Sequence, residues 1–128
     1  NLSLNEMYAV ANTYEPGSQE FNDVFETAVR LFPEAIAAQV NAAVAALGRG
    51  DTVSAERYLQ KVKIKTVVPE YENALGVLEM IRENYEKAER HFEAAFGAGL
   101  EAAGANIKEI TQKKENIELL ERQNRRRM

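Results

Sequence analysis

A short segment of this chain recurs 33 residues later in altered form. The first copy is AERYLQKV, residues 55–62, and the second is AERHFEAA, residues 88–95. Further upstream, Phe25 falls in register with Leu59 and Phe92, at the same phase of a helical pattern. A fixed period between about 20 and 50 residues indicates an array of structural repeats. The chain is therefore expected to stack similar units against one another.

Each unit carries helical signals, and no segment shows a useful alternating strand pattern. Ser3 with Glu6 has the spacing of a capping box, and Gly48 or Gly50 is expected to end the third helix. Pro33 suits the first turn of that helix. The extended connection 66–69 separates the fourth helix from the fifth. Eight helices are predicted, at about residues 3–14, 18–31, 33–47, 51–62, 70–82, 84–97, 101–113 and 116–126.

Small side chains recur where the predicted helices must approach closely, and larger side chains recur in the second helices of the first three pairs. Larger residues follow small ones by one turn, which lets neighbouring helices approach closely and interdigitate. Each unit would then bury its apolar face only against its neighbours, as in a solenoid. The small residues at close approaches are predicted to be Ala9, Ala43, Ala55 and Ala88, and the larger ones Phe25, Leu59 and Phe92.

The third unit resembles the tetratricopeptide repeat most closely. It carries the first-helix segment 73–76 (NALG), the turn 83–85 (ENY), and then Ala88, Phe92 and Ala95. The resemblance implies an all-α fold, an α-α superhelix of about four helix pairs in a single domain, 1–128. The units would be about 3–33, 34–68, 69–100 and 101–126. The family's Trp is absent, and the end units depart most from its pattern, as terminal repeats do.

The opening segment, residues 2–33, is similar to tetratricopeptide regions near the C-terminus of some OmpA-like envelope proteins of Gram-negative bacteria. That resemblance implies a periplasmic or cell-envelope location, as an appendage of a larger protein. The chain begins with Asn rather than Met, so we expect it to be a piece of a longer protein. The sequence by itself leaves the compartment open.

Composition argues against several kinds of function. The net charge of −4 is unlike that of a general nucleic-acid binder, which needs a basic surface. No Cys is present, so thiolate chemistry is impossible. No apolar run approaches the roughly 18 residues of a membrane-spanning helix. With one His and no acidic loop of suitable spacing, we expect no metal site, no cofactor and no catalytic residue.

Two features could serve as chemical sites, but their positions favour structural roles. His91 occupies the place that Tyr58 holds one repeat earlier, which favours a position at a helix surface over a general base. An activity abolished by His91→Ala would contradict a noncatalytic role. The terminal run Arg125–Arg127 could contact nucleic acid or anionic lipid, but positive charge also stabilises a helix C-terminus.

The tetratricopeptide resemblance implies that the first helices of the pairs line a groove for a peptide or helix. Such an apolar surface would bind a protein partner or peptide without catalysis. The alternative is a structural spacer or self-association module, with this face covered by another domain of the same protein or by a second copy in a homodimer. Carried over to this chain, the groove residues are Val10, Thr13, Val40, Val44, Leu47, Asn73, Val77 and Met80.

Overall fold

The computed structural model describes residues 2–127, and within that range every regular element is an α-helix. The all-α prediction is therefore confirmed. The predicted single domain, 1–128, includes residues 1 and 128, which lie outside the described residues. The helices are α1 (Leu4–Ala11), α2 (Gln19–Leu31), α3 (Ile36–Gly48), α4 (Thr52–Gln60), α5 (Pro69–Ile81), α6 (Tyr85–Gly97) and α7 (Ala102–Arg127).

The chain divides into two compact units, Asn1–Thr66 and Val67–Met128. In the first unit α1 packs on α2, α2 on α3, and α3 on α4. Its core is rich in alanine, because α3 is buried along most of its circumference. Ala43 and Ala55 are buried at close helix approaches, as predicted, whereas Ala9 is exposed and takes no part in one.

In the second unit α5 packs on α6 and α6 on α7. Its buried centre is formed by Ala88, Phe92 and Ile110. Phe92 is fully buried and lies directly against the backbone of Gly76, where an added Cβ would lie 2.5 Å from two of the ring carbons. The small residue in α5 thus makes room for the large residue in α6.

The helix boundaries follow the capping signals closely. The capping box is confirmed: the Ser3 hydroxyl accepts from the Glu6 N–H at 3.1 Å, and Glu6 accepts from the Ser3 N–H at 2.9 Å. Asp51 caps α4 through the Ser54 N–H. Pro33 precedes α3 rather than entering its first turn, and Pro69 is instead the first residue of α5.

The predicted break between residues 113 and 116 is wrong. α7 continues through it as one helix, so the last predicted pair is a single helix of 26 residues. No Gly or Pro occurs after Gly104 to end it. Lys114, near the predicted break, is instead held against α6 by Glu86 and Glu89 at 2.9 and 3.2 Å. Those two carboxylates raise the pKa of the Lys114 ammonium.

Three helices end in the same hydrogen-bonded turn. Two of the turns have Gly at the position with positive φ, and the third has Glu83. Gly50, Glu83 and Gly99 all have positive φ. In each case the next N–H bonds back to a carbonyl five residues earlier, for example Asn84 to Glu79 at 2.8 Å. This is the Schellman arrangement, in which Gly avoids the steric cost of the left-handed conformation.

Replacing Glu83 with Gly is expected to raise the free energy of unfolding by about 0.5–1 kcal/mol, because relief of left-handed strain outweighs the added chain entropy. Urea denaturation would measure the change. Gly50→Ala is the matched control, because it introduces a side chain at the equivalent position and should lower stability. A Glu83→Gly variant less stable than the original chain would contradict this interpretation of the turn.

Candidate functional site

The predicted groove residues of the first unit do not share one surface. Val40 and Leu47 are buried in the core, so neither presents its side chain to a ligand. Val10 and Val44 are exposed, at 39% and 52% of their surface, but they line different clefts. Thr13 is exposed at the end of α1, where its hydroxyl donates to the Val10 carbonyl.

The cleft around Val44 lies between the start of α2 and the second half of α3. We call it the Val44 cleft. It encloses about 330 Å³, and its walls are mostly apolar. Pro16 and Gly17 from the α1–α2 turn close one end. Its lining residues are Pro16, Gly17, Phe21, Phe25, Asn41, Val44, Ala45 and Gly48.

An aromatic cluster forms one wall of the Val44 cleft. Phe21 and Phe25 lie one turn apart on α2, with ring centroids 4.8 Å apart and tilted planes. Tyr8 of α1 stacks on the other side of Phe25, at 5.6 Å between centroids. Because Tyr8 also donates to the Ala37 carbonyl at 3.3 Å, its ring is fixed between α1 and α3. The wall is therefore held in place before any ligand binds.

The polar groups of this region are few and placed at its margin. Asn41 lines the Val44 cleft, and its side-chain amide lies near the Tyr8 hydroxyl. Partial burial raises the pKa of Tyr8, and the Asn41 side chain opposes the rise. The phenol is consequently neutral at physiological pH. An amide at the edge of an apolar cleft can orient a ligand through one hydrogen bond.

The cleft around Val10 is a second, shallower surface between α1 and α2, of about 300 Å³. It shares no lining residue with the Val44 cleft. Its walls mix apolar side chains with the carboxylates of Glu20 and Asp23. The predicted groove has Val10 and Val44 on one continuous face, but within the first unit they lie in two separate clefts.

A larger cavity in the first unit was not anticipated from the sequence. It encloses about 590 Å³ between the end of α2, the start of α3 and residues 61–63. Arg30, Lys61 and Lys63 line it together with Glu26 and Glu34, so its charges are mixed. No pattern could have indicated it, because it forms only where the segment after α4 returns beside α2 and α3.

The predicted groove residues of the second unit contribute to its packing. Val77 and Met80 lie against the buried cluster that contains Phe92 and Ile110. Asn73 accepts a hydrogen bond from the Asn106 side chain at 3.0 Å. This face of α5 therefore packs on side chains of α6 and α7. Among the apolar residues of the predicted groove, Val44 has the most exposed side chain.

His91 lies at a helix surface, as predicted, and is half-buried. Its Nδ1 is 2.8 Å from a Glu72 carboxylate oxygen, which joins α6 to α5. Among the described residues, no three His, Cys, Asp or Glu side chains are grouped as metal ligands. Within residues 2–127, no helix combines the length and apolar character that a membrane span requires.

A comparison with known protein families found no family model that matches the chain, and no curated protein matched its sequence.

Proposed function

We propose that the chain is a noncatalytic, tetratricopeptide-like scaffold that binds a protein segment in the Val44 cleft. The observation that carries this proposal is the half-exposed Val44 side chain in a rigid, mostly apolar cleft. Exposed apolar surface of this kind is characteristic of interaction sites. The ligand would place one apolar side chain against Phe21, Phe25 and Val44.

The geometry suggests what kind of segment the cleft accepts. Volumes near 330 Å³ hold one or two apolar side chains rather than a large cofactor. An amphipathic helix or a short apolar peptide supplies such anchors at regular spacing. Aromatic walls commonly carry much of the affinity in such interfaces, because they offer a large contact area at low entropic cost. Asn41 would then hydrogen-bond a polar group of the ligand at the margin.

Binding is assigned to the first unit because its cleft is open. In the second unit the corresponding face of α5 supports Phe92 and Ile110, and its side chains are partly buried there. A ligand on that face would have to displace native packing. The two units therefore differ in role under this proposal. The first unit presents a surface to a ligand, whereas the corresponding face of the second unit is covered by its own side chains.

The test is a crosslinking capture from fractionated cells of the source organism with two matched charge variants. Val44→Glu places a carboxylate in the cleft, and the same change at Val53, 72% exposed on α4, serves as the control. We expect one specific protein to be recovered by the original chain and by Val53→Glu, and at least about tenfold less by Val44→Glu. Circular dichroism verifies that all three fold.

Equal recovery by Val44→Glu and the original chain would contradict the proposal. Recovery that falls equally for both variants would also contradict it, because the loss would then follow added negative charge rather than the cleft. The compartment in which the partner is found tests the envelope location implied by the resemblance of residues 2–33.

A further inference from the structure

The distal part of α7 contributes no fully buried residue to the second unit, although Ile117 lies beside Tyr85 at the start of α6. Its proximal part contributes Ala103 and Ile110 to the core, and Lys114 is its last side chain in contact with α6 through ion pairs. From residue 115 to residue 127 every side chain is exposed. We call residues 115–127 the arm; at 1.5 Å per residue it extends about 20 Å.

The arm carries apolar side chains that the rest of the second unit leaves uncovered. Ile117 and Leu120 lie one turn apart and are 40% and 59% exposed, and Leu119 is 50% exposed. A helix of this length is marginal in water unless an apolar stripe is covered. The arm therefore has a face that a partner helix would stabilise.

Charge along the arm changes sign at one point. Glu115, Glu118 and Glu121 fill the first half without a basic residue, and Arg122 with Arg125–Arg127 fills the second half without an acidic one. A parallel copy of the arm would place like charges side by side. An antiparallel copy would place the arginines of each arm beside the glutamates of the other, and Ile117 near Leu120.

The surface beside the first half of the arm is also acidic and therefore complementary to the arginines of a second arm. A shallow cleft of about 330 Å³ lies beside it, lined by Tyr85, Ile117 and Lys114 and by four acidic side chains. Lys114 already pairs with one of the four, Glu86, at 2.9 Å, and three carboxylates remain for a further cation. Arginine suits such a place, because its guanidinium binds carboxylates and stacks on aromatic rings. Within one arm, Arg122 reaches only Glu118, at 3.9 Å. The acidic residues of this cleft are Glu83, Glu86, Glu118 and Glu121.

We propose that the arm pairs antiparallel with the arm of a second copy of this chain, each copy's arginines entering the acidic cleft of the other. This inference goes beyond ligand binding at the Val44 cleft and uses a different surface. The contact is small and polar at its margins, so the association is weak and sensitive to salt.

Two arm variants and their mixture test the charge complementarity. Glu115→Arg/Glu118→Arg makes the arm predominantly basic, with Glu121 as its one remaining acidic residue, and Arg122→Glu/Arg125→Glu makes it predominantly acidic. Sedimentation equilibrium at low salt, up to about 1 mM chain, should show dimers of the original chain. Each variant alone should dissociate at least about tenfold more readily, and a mixture of the two should regain the association.

Orientation is read by crosslinking, which is simple because the chain has no Cys. Asn116→Cys and Asn124→Cys lie on either side of Leu120 on the same face of the arm. An antiparallel pair gives mostly mixed crosslinks between the two single-Cys chains, whereas a parallel pair gives mostly like-with-like crosslinks and would overturn the proposal.

Other outcomes also overturn it. A chain that stays monomeric at the highest concentration has no such contact, and charge variants that associate like the original chain place the contact elsewhere. Circular dichroism verifies that the arm stays helical in each variant. Val44→Glu should leave the self-association unchanged, so this proposal and the one for the Val44 cleft can fail independently.

Discussion

Replacing Phe92 with Ala is expected to lower the free energy of unfolding by about 3–5 kcal/mol, because it removes a fully buried ring and leaves a cavity. The cavity would open at the centre of the second unit, where Phe92 touches α5 and α7 residues. Small domains have a total free energy of unfolding of only about 5–15 kcal/mol, so this substitution alone would remove a large part of the stability. Urea denaturation followed by circular dichroism measures it.

The matched control is Phe96→Ala, one turn further along α6. Phe96 is 46% exposed, and its ring lies beside Gly104 at the surface. Loss of an exposed ring should cost less than about 1 kcal/mol. Similar losses for the two variants would contradict the arrangement in which Phe92 forms the centre of the second unit.

Gly76→Ala is expected to lower the free energy of unfolding by about 2–3 kcal/mol, which is near the upper end of the cost of adding a methyl group to a packed core. The loss is expected even though Ala has a higher helix propensity than Gly. The added methyl would overlap the Phe92 ring, which is enclosed and cannot move aside. Gly48→Ala is the control, because α3 has open space around that position and the same gain in helix propensity applies. That variant should be neutral or slightly stabilising.

The overlap predicts a specific coupling between the two positions. Once Phe92 is Ala, the Gly76→Ala methyl enters vacated space, so the double variant should lose less stability than the sum of the single losses. A difference of at least about 1 kcal/mol is expected for residues in direct contact. Additive effects would show that Gly76 and Phe92 do not contact each other in solution.

The sequence carried enough information for the helices and most of their ends. Caps are local chemistry, so residue types and spacing predict the capping box of Ser3 with Glu6. They narrow the end of α3 to Gly48 or Gly50 and the cap of α4 to Asp51 or Thr52, and the structure selects Gly50 and Asp51. The break near residue 115 was inferred by analogy with the turn at Glu83, and the analogy failed. Glu83 adopts a left-handed conformation in a Schellman turn, whereas the same Glu-Asn pair at residues 115–116 lies inside α7.

The site was less predictable, because it depends on which stripe of α3 stays exposed. The predicted face followed Val40, Val44 and Leu47, but α3 is covered on most sides and only Val44 of these remains accessible. Phe21 and Phe25 carry the missing signal. They lie four residues apart, which places them on one side of a helix, but the sequence does not reveal that this side is only partly covered and forms a cleft wall.

Nuclear magnetic resonance mapping with a synthetic peptide of the captured segment tests the central claim most directly. Shift changes on titration should be largest for the Val44 methyls, the Phe25 ring and the Asn41 side chain, with the Val53 methyls unchanged. Saturable changes confined to the Val44 cleft are the predicted result. Largest changes at the arm or at the cavity around Lys61, or no saturable change, would contradict a scaffold that binds its ligand in the Val44 cleft.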